Sequence, residues 1–248
     1  MTDTLATAAP AAVTTELRRT ARTTGAFYLA FFVVGILGTY VVRGQIFVAD
    51  DPAATLANVT GHDGLVRVEV ALELAIVMAQ ALTAVWFYRL FRSVDHVAAM
   101  ALVLFGMVNA TAILGSAALL ATARQAAADP RLSGPGGTAP SVQMLYLASG
   151  HLWTVAAVFF GLWLIPMGWL ILRSRWLPSA LGWLLVAAGA CYLISAFTAY
   201  LLPSADLLTQ LLTVPSIVGE VWITGYLLIV GIHGTARAAI HQGGTDER

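Results

Sequence analysis

The chain has 248 residues, of which 59% are hydrophobic and only 10% charged, with a mean hydropathy of +0.81. Soluble domains carry about 25% charged residues, so most of this chain belongs where charge is unwelcome, and it reads as an integral membrane protein. Thirteen basic and thirteen acidic residues cancel, which leaves no overall basic field to attract nucleic acid or an anionic substrate. All thirteen basic residues are arginine. Without lysine there is no Schiff-base partner for retinal or pyridoxal phosphate. There is no P-loop either, because the Gly-rich stretch from Gly134 to Gly137 lacks the Lys-Ser/Thr pair that follows it. The single cysteine, Cys191, allows no internal disulfide and no CxxC pair.

A helix crossing the roughly 30 Å hydrocarbon core needs about 20 mostly apolar residues. The first 24 residues, rich in Ala and Thr and containing Pro10, lack an apolar run and predict a disordered tail. Six segments then qualify as spans: Gly25 to Val42, Leu65 to Leu90, Val97 to Thr122, Val142 to Leu172, Leu177 to Leu201 and Val214 to Gly234. Between the first two, Asp51-Pro52 ahead of Ala53 to Val59 is a cap-then-proline start for a short surface helix. Asn58-Val59-Thr60 in that segment matches a glycosylation sequon. The stretch from Ala126 to Pro140, dense in Pro and Gly, predicts a mobile connection. Pro166 should kink the long fourth helix or end it early. Ser204 to Leu212 is too short to span and is expected in the interface. Fold class is therefore an all-α polytopic transmembrane bundle of six helices. Its domains are a disordered cytoplasmic tail over 1–24, a transmembrane domain over 25–234 and a cytoplasmic tail over 235–248.

Orientation follows from the arginines, since basic loops stay in the cytoplasm. Arg18, Arg19 and Arg22, Arg89 and Arg92, Arg173 and Arg175, and Arg237 and Arg248 fall on one side, nine of the thirteen. Arg43, Arg67, Arg124 and Arg131 fall on the other. Both termini are accordingly expected in the cytoplasm.

An ionisable residue deep in a span is by default a functional candidate facing the bundle interior. Glu73 lies eight residues past Leu65, roughly 12 Å below the outer boundary at 1.5 Å per residue. Glu69 and Gln80 share its stripe on the second helix. By the same count Asn109, His151 and Glu220 fall roughly 20, 13 and 9 Å from that boundary. Four helices thus offer polar groups to one layer, and Thr154, Trp153, Trp222, Tyr226, Ser195 and Tyr200 are candidates to line its walls. Each has a plainer reading beside it. Glu73 fixes helix register by pairing with His151 or an arginine, and Glu69 belongs to an interfacial ion pair. Asn109 and Gln80 act as interhelical glue, and the four large aromatic residues form an interfacial belt. Metal is not expected, because the chain has no Glu-x-x-His pair and no His-Glu-x-x-His motif. No other cofactor is expected.

The fourth and fifth helices carry a recognisable pattern: Gly161, Gly168-Trp169-Leu170, Arg173-Ser174-Arg175-Trp176-Leu177-Pro178, Leu181-Gly182, Gly189 and Tyr192. Together with Gly25-Ala26-Phe27-Tyr28-Leu29, Arg67 with Glu73, and Pro215 with Glu220, this resembles the bacterial membrane family called domain of unknown function 4386. The resemblance spans roughly residues 20 to 235. It implies a six-helix multi-pass protein of the bacterial cytoplasmic membrane, with no activity to carry over. In that family's pattern acids often stand where this chain has Gln80 and Asn109, and an arginine where it has Gly106.

Three functions compete. A membrane-embedded enzyme would use Glu73 and Glu220 as acid/base groups, with His151 as proton partner, on an isoprenoid or lipid-like substrate. A carboxyl kept from water holds its proton more tightly, and a neutral acid can protonate an alkene, epoxide or leaving group. A proton-coupled carrier of a small hydrophobic compound would use the same acids. A sensor or scaffold subunit would bind a hydrophobic ligand in the outer cavity. The expected partners are the lipid bilayer and such a small molecule. Assembly with further copies of the chain stays open, and nucleic acid is excluded.

Overall fold

The computed structural model describes residues 3–202 and 204–233, which are mostly helical and, among these residues, free of strands. The expected tail over 235–248, with Arg237 and Arg248, and Gly234 at the end of the sixth expected span lie outside the described residues. Helix α1, Asp3–Ile36, continues through a π-helical turn, Leu37–Val42, into the short α2, Arg43–Ile46. There follow α3, Pro52–Gly61; α4, Asp63–Phe91; α5, His96–Ala128; α6, Thr138–Ser174; α7, Ser179–Leu201; and α8, Asp206–Ile229. Six stretches are long and apolar enough to cross a membrane: Thr15–Ile46 and the five helices α4 to α8. The protein is a membrane-spanning helical bundle.

Several boundaries move. Helix replaces the expected disordered tail from Asp3 onward, and Thr20, Ala21 and Thr24 are buried. Thr24 donates its hydroxyl to the Thr20 carbonyl at 2.8 Å, which satisfies a polar side chain inside a helix. Thr20, Thr24, Tyr28 and Phe31 form one buried stripe at helical spacing. The first span runs past Val42 to Ile46. The connection expected over Ala126 to Pro140 shrinks, because α5 reaches Ala128, a 3-10 turn forms over Pro130–Leu132 and α6 starts at Thr138. Ser204 to Leu212 is not a separate short piece: from Asp206 onward it forms the first turns of α8, which carries Pro215 inside it. Pro166 likewise sits within α6 without ending it.

Helix α3 forms where the cap-then-proline pattern predicts, with Asp51 accepting from the Ala54 N–H at 2.9 Å. The sequon amide of Asn58 is engaged, donating to the Ile46 carbonyl at 3.1 Å.

Two compact units emerge. Unit 1 comprises Met1–Tyr28, Leu82–Phe105 and Phe160–Arg248; unit 2 comprises Leu29–Ala81 and Gly106–Phe159. Unit 2 has a core built on Val42, Ile46, Val59, Val66, Leu120 and Tyr146. Unit 1 is held by aromatic contacts: Tyr28 meets Phe87 edge-on at 5.4 Å, and Phe91 stacks on Phe87 at 6.2 Å and on Trp176 at 5.8 Å. Within unit 1, α6 and α7 approach backbone to backbone. A Cβ on Gly168 would stand 2.5 Å from the Gly182 carbonyl oxygen, and one on Gly189 would stand 2.7 Å from that of Gly161. Gly161 with Gly168, and Gly182 with Gly189, repeat at seven residues, so each helix presents a small-residue seam to the other.

Candidate functional site

The polar cluster of unit 2 starts from α4, where Glu69 and Glu73 stand one helical turn apart and both are buried. Glu73 Oε1 accepts from the Ser116 hydroxyl at 2.9 Å and from the Trp153 indole N–H at 3.0 Å. Glu69 Oε2 accepts from the Tyr146 hydroxyl at 3.0 Å. Arg43, at the start of α2, brings its Nη1 to 3.8 Å from Glu73 Oε1. Its Nη2 donates to the Tyr146 carbonyl at 2.9 Å and to Ser149 Oγ at 3.1 Å. Ser149 and Ser116 share a hydrogen bond of 2.7 Å. The guanidinium also lies 5.9 Å from the Tyr146 ring centroid and 6.0 Å from that of Phe47, and these two rings stack on each other. One connected network therefore joins α2, α4, α5 and α6.

That network is short of positive charge. Two carboxyl groups meet one guanidinium, and Glu69 Oε1 and Glu73 Oε2 are both buried without a hydrogen-bond partner. Breaking or unbalancing a buried ion pair is costly in a low-dielectric surround. The arrangement is thus suited to accept one further positive charge. Among the described residues no three His, Cys, Asp or Glu side chains gather as a metal would need.

Unit 1 holds a different arrangement. Glu220, buried on α8, accepts from the Tyr28 hydroxyl at 2.6 Å, and Tyr28 packs against Phe87 and Trp163. Because α8 begins at Asp206, Glu220 lies fourteen residues into the helix, roughly 21 Å along it rather than 9.

The structure spreads the remaining candidates. Gln80 accepts from the Asn109 amide at 3.1 Å within unit 2, an interhelical bond of α4 with α5. His151 is exposed, whereas the bonds seen on Glu73 come from Ser116 and Trp153. Thr154 turns back to the Gly150 carbonyl, and Ser195 to that of Tyr192. Trp222 and Tyr200 are exposed. Tyr226 stands near the C-terminal end of α8, where its hydroxyl hydrogen-bonds His233. Sequence reasoning passed over Arg43, Ser116, Tyr146 and Ser149 as site residues, and saw Tyr28 only within a family string. The one available signal for Arg43 was its place among the four arginines opposite the other nine.

The family model for the domain of unknown function DUF4386 matches residues 23–231. The chain belongs to this family. No curated protein and no solved structure gives a match. In this DUF4386 member Gln80 and Asn109 form a neutral amide pair. Glu69, Glu73 and Arg43 are the ionisable groups of the buried network described above.

Proposed function

We propose that this DUF4386 protein is a membrane-embedded acid/base protein whose working centre is the Arg43–Glu69–Glu73 cluster, acting on an isoprenoid or lipid-like substrate in the bacterial cytoplasmic membrane. The observation that carries the reading is the pair of buried carboxyl groups sharing one guanidinium, each with an oxygen left unpartnered. Such a centre takes up one proton to balance its charge and can pass that proton to an apolar molecule arriving from the bilayer. The π-helical turn directly ahead of Arg43 supports it, because π turns recur at functional sites. Glu73 is the acid/base group, Glu69 its charge partner and Arg43 the positioning residue. Glu220 with Tyr28 is a second acid in the other unit, and His151, the expected proton partner, is exposed on α6.

The test is product formation from prenylated substrates by purified protein in detergent. Glu73→Gln keeps an oxygen for Ser116 and Trp153 but removes the exchangeable proton, and is expected to lower turnover by about 100-fold or more. Unchanged turnover would end the enzymatic reading. Carriage of a small hydrophobic compound coupled to protons is the second reading, favoured by the presence of a buried acid in each unit. Uptake into proteoliposomes that responds to a pH gradient, with no chemical change in the compound, would select it.

A further inference from the structure

We propose that a basic groove of unit 1, where the end of α4 lies beside residues 16–23 of α1, binds the phosphate of an anionic membrane lipid. Two adjoining hollows of about 420 and 480 Å³ share Glu16, Thr20 and Arg89 in their walls. Each falls within the roughly 300–1,000 Å³ range of ligand clefts. Arg92 lines the first and Arg19 the second, so three guanidinium groups and one carboxylate face this space. Glu16 pairs with Arg89 at 3.2 Å. Arg19 and Arg92 have no carboxylate within 4 Å among the described residues, and the groove carries a surplus of two positive charges. The apolar part of its lining suits a lipid rather than a free ion. Leu17, Val85 and Trp86 contribute it, and Arg89 lies 5.0 Å above the Trp86 ring.

The location fits the same occupant. Arg89 is in the last turn of α4, a helix of membrane-spanning length, so the groove opens at the end of that helix, where headgroups lie. On the orientation argued from the arginines, that end meets the inner leaflet. Glu16 acts as a built-in competitor: it occupies Arg89 until a phosphate displaces it. A structural ion pair at this exposed site has the opposite consequence, since removing Glu16 would then loosen the groove.

Native mass spectrometry of the full chain, with phosphatidylglycerol, phosphatidylcholine or inorganic phosphate added, separates these outcomes. Phosphatidylglycerol is expected to be retained over phosphatidylcholine. Arg19→Ala and Arg92→Ala should each weaken that retention about fivefold, and Glu16→Gln should strengthen it. Equal retention of the two lipids, or looser binding in Glu16→Gln, overturns the proposal. Full displacement of phosphatidylglycerol by millimolar inorganic phosphate overturns the lipid as its source. The lipid arms do not depend on Glu73, so failure here leaves the acid/base reading standing, and the reverse also holds.

Discussion

Glu73 in unit 2 and Glu220 in unit 1 are both buried acids on membrane-length helices, yet their surroundings differ in kind. Glu73 has a hydroxyl, an indole N–H and, at 3.8 Å, a guanidinium, with a second carboxyl one turn away. Glu220 has the Tyr28 hydroxyl and, among the described residues, no ion-pair partner. On the reading proposed above, burial alone does not make an acid work: in unit 2 two carboxyl groups share one guanidinium, whereas in unit 1 the Tyr28 phenol bonds Glu220 among aromatic rings and, among the described residues, no ion pair reaches it.

The comparison breaks most readily at Arg43. Arg43→Leu leaves two buried carboxyl groups without their cation and is expected to cost about 3–5 kcal/mol of stability, read as a lower thermal midpoint in detergent. Adding Glu73→Gln should recover much of that loss, because it removes surplus charge while keeping an acceptor for Ser116. A wild-type midpoint in Arg43→Leu would show that the guanidinium does not hold the cluster together. Packing gives a control of comparable size. Gly168→Ala forces a methyl group against the Gly182 carbonyl and should cost about 1–3 kcal/mol, while leaving the proton exchange of unit 2 unchanged.

A smaller effect probes the other acid. Tyr28→Phe deletes the hydroxyl that serves Glu220 and should lower stability by about 1 kcal/mol in the same assay, whereas Glu220→Gln keeps an oxygen for that hydroxyl and should cost less. The reverse order would mean that the charge of Glu220, rather than its hydrogen bond, matters to unit 1.

The smallest effect belongs to an acid outside the spans. Asp95 accepts from the Ala98 N–H at 3.1 Å and also faces Trp169 and Arg173, which together hold its carboxyl below the ordinary range. Its contribution to stability is complete above that ordinary range and fades as pH falls through the lowered value, below about pH 4. Asp95→Asn should flatten that part of an acid-unfolding profile and leave the neutral-pH arm shallowly changed.

How much of this was legible follows from what each feature demands of the sequence. The glycines at 161, 168, 182 and 189 stood out in the sequence only as part of a family pattern; that they form a packing seam at seven-residue spacing is visible only once α6 and α7 are seen backbone to backbone. The stripe of Glu69 and Glu73 could be read directly, because its helical spacing survives errors in helix ends. Arg43 could not: a span that stops at Val42 places it in a loop, while the π turn carries the helix on to Ile46 and puts the guanidinium against Glu73. Tyr146 and Ser116 were missed because an aromatic or hydroxyl side chain in an apolar run counts as wall or filler until its facing partner is known. His151 shows what depth leaves out: the sequence placed it by distance along a helix, the structure shows its side chain exposed, and distance along a helix carries no information about azimuth.

Infrared titration of carboxyl groups in the bilayer-reconstituted protein tests the central claim most directly. A protonated-carboxyl band that responds to bulk pH, persists in Glu220→Gln and disappears in the Glu69→Gln/Glu73→Gln double variant is the predicted result. A titrating band that survives the double variant, or the absence of any such band in the native protein, would contradict a proton-exchanging centre at Arg43, Glu69 and Glu73.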